Sequence, residues 1–362
     1  MLYALGWASN EDRLFAADAA TGRTLWTQRY ACPQYGRHAT GDQKMYRGVS
    51  ATPEYDPETG YLYTLSTDGD LNCWDSGANG KKLWSLNLYD RYKIGQRPQV
   101  TKRRGSLRDY GYTSAPHVHS QAVLVEAGAK VGNVIAFDKL TGTPLWTSEN
   151  KDPAGHSGGL APMVVEGIPC VAAITARNLV VTRLAGENPG QEVARFPWTT
   201  DFINNIATPT VVGNRVIVTS KYNIQSMAML EISLAHGARE IWRINDASGV
   251  CSPLVHKDKL YWVNRGFYCV DLASGKGIWK GGRFTDPGSC VMTADERLLI
   301  WANNGDLMIA DSATHSPDKA RILQMQRGIF RGQAWPHLVF ANGRIYVRDI
   351  SGAMKCFFLQ AP

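Results

Sequence analysis

The chain has 362 residues, 44% hydrophobic and 20% charged, with a formal charge of +7. That apolar content can bury a sizeable core and excludes disorder as the main description, and no run of ~18 apolar residues is present to span a membrane as a helix. The positive balance favours acidic ligands or surfaces without pointing to nucleic acid. Part of it is local: Arg91, Lys93, Arg97, Lys102, Arg103, Arg104 and Arg108 fall in one stretch, read as a solvated or polyanion-facing lid. Seven scattered cysteines, none adjacent and with no C-x-x-C, do not form a disulfide framework. Met1 to Trp7 has no basic segment followed by an apolar one, so no secretion signal is expected in this sequence.

In chain order, three strands are predicted first, over Leu2–Ala8, Arg13–Asp18 and Arg23–Arg29. The last two are joined by Asp18-Ala-Ala-Thr-Gly22, in which the Asp side chain accepts turn N–H groups and Gly supplies a positive φ. Trp26 follows and offers a broad apolar surface to a neighbouring unit. The same turn and Trp recur at Asp75–Gly80 with Trp84, Asp138–Gly142 with Trp146, Glu231–Gly237 with Trp242, and Asp271–Gly275 with Trp279. Worn copies span Arg183–Trp198 and Asp311–Arg321. A second recurring element is small residues leading into Pro, at Ser50–Pro53, Thr113–Pro116, Ala207–Pro209 and Ser252-Pro253, and less closely at Gly159–Pro162 and Ala334–Pro336. Between the two come alternating strand patterns such as Gly213–Ser220, Lys259–Val263 and Gly343–Arg348. The C-terminus adds strands over 338–341, 344–349 and 353–359.

Four strands per unit of about 40 residues is the pattern of a β-propeller. The expectation is an all-β fold, an eight-bladed β-propeller of four-stranded antiparallel blades, with seven blades as the alternative. The first blade lacks its innermost strand and the last its outermost, and both are expected just upstream of Met1 unless the ring closes with a gap. Residues 1–362 are read as one domain. The Trp-to-Trp intervals shorten along the chain, which places insertions at about 27–47, 86–112 and 147–158, all on one rim. Insertions clustered on one face of a repeat array commonly mark a binding face.

The D-x-x-T-G-x-x-x-W turns resemble those of the pyrroloquinoline-quinone (PQQ)-binding-like β-propeller repeat proteins, over nearly the whole chain. The last unit, Ala334-Trp-Pro-His-Leu-Val-Phe-Ala-Asn-Gly-Arg-Ile-Tyr346, looks like that of many bacterial members. The resemblance implies a fold similar to quinoprotein alcohol dehydrogenases and to the propeller lipoprotein of outer-membrane protein assembly. It also implies an extracytoplasmic, periplasmic location. The repeat is specific for fold and not for activity.

The stretches preceding the inner strands are expected to converge on the funnel mouth. Arg47, Tyr110, Tyr112, His156, Asn204, Asn205, Arg331, Trp335 and His337 are the candidate ligand-binding residues. Arg would pair with an anion and His could act as acid or base, so His156, Tyr112 and His337 are the catalytic candidates. The same groups could equally close the funnel by bonding one another. No metal site is expected. Asp201 and Asn204 are the oxygen donors that a calcium beside a quinone would draw on, and His117 and His119 share a strand face without a third ligand. Asp68-Gly-Asp70 reads as a strand connector.

Three functions are weighed. The first is a binding propeller whose inserted rim takes an acidic small molecule, a polysaccharide or another protein, with no nucleic-acid partner. The second is a PQQ-dependent alcohol or sugar dehydrogenase with calcium, from which the chain departs by lacking adjacent cysteines. The third is a polysaccharide lyase using the Tyr/His/Arg mouth. Whether the chain is an enzyme stays open at this point; binding is favoured.

Overall fold

A computed structural model describes residues 1–33, 49–97, 108–156, 158–222 and 224–359. Among them are thirty strands and little helix. The strands form sheets by simple meander, each pairing antiparallel with the next in sequence. The first sheet has three strands, β1 (Leu2–Ala8), β2 (Glu11–Ala17) and β3 (Thr24–Ala31). Four-stranded sheets follow: β4–β7 (Glu54–Asp56, Tyr61–Leu65, Asp70–Asp75, Lys81–Asn87), β8–β11 (His117–His119, Ala122–Ala129, Gly132–Asp138, Pro144–Thr147), β12–β15 (Ala161–Val165, Ile168–Ile174, Asn178–Arg183, Glu192–Pro197) and β16–β19 (Thr210–Val212, Arg215–Ser220, Ser226–Ser233, Gly237–Ile244). Two more, β20–β23 (Leu254–His256, Lys259–Asn264, Phe267–Asp271, Gly277–Gly281) and β24–β27 (Pro287–Met292, Arg297–Ala302, Asp306–Asp311, Ile322–Gln326), are joined by pairing of Val263 with Gly288. The last sheet has three, β28 (Val339–Ala341), β29 (Arg344–Arg348) and β30 (Met354–Phe358).

By internal contacts the chain divides into two units: Met1–Pro209 with Ile232–Ala238, and Thr210–Glu231 with Arg239–Pro362. In the first, the core lies between successive sheets. Leu5, Leu14 and Trp26 meet Leu62 and Trp74, Tyr63 and Cys73 meet Val123 and Phe137, and Leu124 and Val134 meet Val171 and Leu184. The second unit repeats the arrangement: Ile217 and Met229 against Leu260 and Trp262, Cys269 and Trp279 against Ile300 and Met308, Trp301 against Ile345 and Val347. A strand that is buried on both faces needs a continuous apolar run, and that is why Ala122–Val125 of β9 and Leu260–Val263 of β21 read as they do.

The recurring turn does what its residues dictate. Asp138 Oδ1 accepts from Leu140 N (3.1 Å), Thr141 N (2.8 Å) and Thr141 Oγ1 (2.9 Å). The Trp of the preceding outer strand then packs on the turn's Gly: an added Cβ at Gly142 would lie 2.8 Å from Trp84, whose indole N–H donates to Lys139 O at 3.1 Å. Across the sheet the Trp belongs to a row of three. Tyr3, Ala16 and Trp26 stand side by side, as do Tyr63, Cys73 and Trp84, and Tyr261, Cys269 and Trp279. The Tyr and Trp rings of these rows lie 6.1, 6.0 and 6.0 Å apart.

Two expectations need correction. Trp198 is not the tryptophan of an outer strand, because it falls just beyond β15, and Ala194, opposite Val181 at the same bulge, holds the position that Trp84 has opposite Cys73. The 86–112 insertion carries an element of its own. It contains a helix, α1 (Leu88–Tyr92), capped by Asn87 and anchored by buried Leu88 and Tyr89. The basic run is not simply solvated: Arg97 pairs with Asp68 (2.6 Å) and Asp90 (2.8 Å), and Arg108 is fully buried with its guanidinium 4.0 Å over the Tyr112 ring. Lys102, Arg103 and Arg104 lie outside the described residues. Among the described residues no helix is long and apolar enough to cross a membrane.

Candidate functional site

In the first unit the structure brings together three of the predicted stretches. Ala115 bridges to Gly159, and Gly158 is held against Thr208, where an added Cβ would lie 2.5 Å from its Oγ1. This close backbone approach places the Tyr110 ring edge-on to His156 at 5.2 Å and 85°. His156 is buried, its backbone N–H donates to Ile203 O (3.0 Å), and its Nδ1 faces Asn204 Oδ1 at 3.0 Å.

Next to this cluster the chain makes a strained single turn, Asp201–Ile203. Phe202 and Ile203 stand consecutively at φ 57° and 53°, a region that costs ordinary side chains about 1–2 kcal/mol each. The turn leaves Phe202 56% exposed. Nothing in the sequence singled Phe202 out, because positive φ at a non-glycine residue leaves no compositional mark.

Other candidates are committed elsewhere. Tyr112 is fully buried, its hydroxyl donates to Ala127 O at 2.6 Å, and it belongs to the core with Tyr89; it is not carried forward as a ligand or catalytic group. Asn205 is buried too, accepting from Thr200 Oγ1 (3.0 Å) and donating to Thr175 O (3.1 Å). Arg47 lies outside the described residues. His117 Nδ1 sits 3.2 Å from Glu54 Oε1, and among the described residues the two histidines belong to no group of three metal-ligating side chains.

The second unit gathers a different set. A cavity of about 250 Å³ is lined by Trp335 and by Gly249-Val250, both from predicted mouth stretches, and by Lys221, Tyr222, Arg265 and Asp286, which the sequence reading missed. Lys221 lies at the end of β17 and Arg265 at the tip of the β21–β22 hairpin, positions indistinguishable in sequence from other charged turn residues. Trp335 is fixed from behind, its carbonyl accepting from Cys251 Sγ at 3.7 Å. Arg331 and His337 are exposed and line no part of this cavity.

The oxygen donors that the sequence offered for a calcium, Asp201 and Asn204, are not grouped as a cation site. Asn204 Oδ1 is engaged with His156 Nδ1, the neighbouring Asn205 amide oxygen accepts from Thr200 Oγ1, and Asp201 stands exposed on the strained turn. Among the described residues no three His, Cys, Asp or Glu side chains are grouped as a metal ion would require.

A comparison with curated proteins finds none that matches. Solved structures do match in fold. BamB from Moraxella catarrhalis aligns at a TM-score of 0.62 and 12% identity, covering 98% of this chain and 96% of that one. The computationally designed protein Ika8 aligns at 0.63 and 12% (99% and 96% covered), and the C-terminal WD40 domain of Sif2 at 0.62 and 10% (97% and 90%). At such identities the likeness is one of fold, and the fold is the all-β propeller that the repeats predicted. The sequence itself is more specific: a family model described as outer membrane protein assembly factor BamB matches residues 10–281. The chain therefore belongs to the BamB-like family of PQQ-type β-propeller repeat proteins.

Proposed function

We propose that this protein is a non-catalytic, partner-binding propeller, one domain over 1–362, that takes part in outer membrane protein assembly in the periplasm. Its inserted rim and polar mouth would present a surface to a partner protein or an acidic ligand. The observation that carries the reading is the family match along residues 10–281, whose description is that of an assembly factor. The site geometry supports it. Phe202 stands out on a strained turn beside the Tyr110–His156–Asn204 cluster, and an exposed aromatic side chain is the kind of anchor around which protein interfaces concentrate their energy. Arg331, Trp335 and His337 are proposed as further contacts in the second unit. The dehydrogenase reading gains no support from the committed Asn204 and Asn205 oxygens, and the lyase reading loses Tyr112 to the core.

The test is a photo-reactive phenylalanine analogue at position 202 in living cells. Cross-links to a component of the outer membrane assembly machinery are expected, and Phe202→Ala should reduce co-purification of that component. Cross-links only to soluble metabolic enzymes, or none, would count against the reading.

A further inference from the structure

We infer that Lys221 and Arg265, beside Trp335, form a pocket for a carboxylate side chain of a partner polypeptide; this rests on the partner-binding reading above. Each side of the pocket is built. The Lys221 stem packs on Gly249, where an added Cβ would lie 3.3 Å from Lys221 Cβ. Its ammonium donates to Asn264 Oδ1 at 3.3 Å, and Asn264 is in turn fixed by donating to Ala247 O at 2.6 Å. Arg265 caps the hairpin at φ 54°, with Asn264 N donating to Gly266 O (2.8 Å) across the turn.

Two cations thus share one cavity. Among the described residues the Arg265 side chain makes no hydrogen bond or ion pair, and Asp286, also on the wall, pairs with neither cation. Burial, and then the charge of Arg265, hold the Lys221 ammonium below its ordinary range. An incoming carboxylate would relieve that repulsion and take charge-assisted hydrogen bonds from both. Asp286 remains available to accept a backbone N–H of the incoming segment, while Trp335 and Tyr222 supply the apolar walls.

Size favours a side chain over a free small molecule. Small-molecule sites usually measure about 300–1,000 Å³, and this cavity of about 250 Å³ suits one anchoring residue.

The probe is fluorescein-labelled deca-glutamate, followed by fluorescence anisotropy with the full chain. Binding is expected, weakened about five- to tenfold by Lys221→Met or Arg265→Gly and unchanged by Lys319→Met, which removes an exposed cation outside the pocket. Arg265→Gly also relieves a left-handed residue, so its melting temperature should not fall. Equal loss in all three variants, or no binding to the wild-type chain, would overturn the pocket. Displacement by polygalacturonate at lower concentration than by unlabelled deca-glutamate would overturn the polypeptide source and assign a uronate. The partner reading fails separately: absent cross-links from position 202 would sink it while leaving pocket-dependent deca-glutamate binding intact.

Discussion

The second and sixth sheets and the three-stranded sheet at the C-terminal end are written in the same residues, yet only the former finish the pattern. In the second and sixth sheets the row runs Tyr, Cys, Trp, and the third strands β6 and β22 are almost wholly buried. In the last sheet Tyr346 stands opposite Cys356 as Tyr63 does opposite Cys73, but among the described residues no strand follows, and β30 is exposed along most of its length. The first sheet has the complete row Tyr3–Ala16–Trp26 and departs elsewhere, in burying Asp12. The comparison separates two things that a repeat motif supplies: a turn, which each unit makes for itself, and a cover, which depends on its neighbour.

Removing a cover should therefore have the largest effect. Trp84→Ala deletes the ring packed on Gly142 and Tyr63 and the hydrogen bond to Lys139 O, at an expected cost of about 4 kcal/mol in urea unfolding. A cost under ~1 kcal/mol would mean that the turn is self-sufficient and the cover ornamental.

The first sheet's departure has a pH signature. Burial pushes the Asp12 carboxyl up to about 7, well above an unfolded aspartate. Between those values the folded state holds a proton that the unfolded state has released, so this group's stabilisation is present in acid and lost as pH rises through about 7. From pH 5 to pH 8 the loss attributable to Asp12 is roughly 3 kcal/mol. Asp12→Asn should flatten the fall by that amount and be more stable than wild type at pH 8. Parallel pH profiles for the two proteins would refute the assignment.

Much of this was legible in the sequence, for physical reasons. The Asp…Gly…Trp turns are local, and each residue's role follows from its own chemistry, so the strands flanking Asp18, predicted over Arg13–Asp18 and Arg23–Arg29, lie at Glu11–Ala17 and Thr24–Ala31. What was not legible depends on register or backbone strain. Ala194 holds a Trp position that only the bulge opposite Val181 reveals. Arg108 looked like part of a solvated run and is buried because Tyr112 and Tyr89 stack around it. Phe202, Lys221 and Arg265 owe their interest to a positive φ or to a shared cavity, and neither has a sequence signature.

Glycine substitutions sharpen the comparison between turn and cover. Gly142 and Gly237 occupy equivalent turns at φ 71° and 66°, but among the described residues nothing lies within 4 Å of an added Cβ at Gly237. The outer strand before it carries Ala194 in place of Trp. Gly237→Ala should cost only the backbone penalty, about 1 kcal/mol, while Gly142→Ala adds overpacking against Trp84 of about 2 kcal/mol more. Equal costs would show that the Trp moves aside freely.

The smallest effect is chemical and concerns the unfinished row. Cys73 and Cys269 lie under their Trp strands, with burial pushing both thiols up to about 12, whereas Cys356 is exposed on β30. Iodoacetamide at pH 8 should therefore alkylate Cys356 rapidly in the native protein and reach Cys73 and Cys269 only on unfolding, a contrast that peptide mass spectrometry reads directly. A protected Cys356 would mean that β30 is covered in solution, and since the complete rows place a Trp opposite the middle residue, the cover to look for is a strand bearing one.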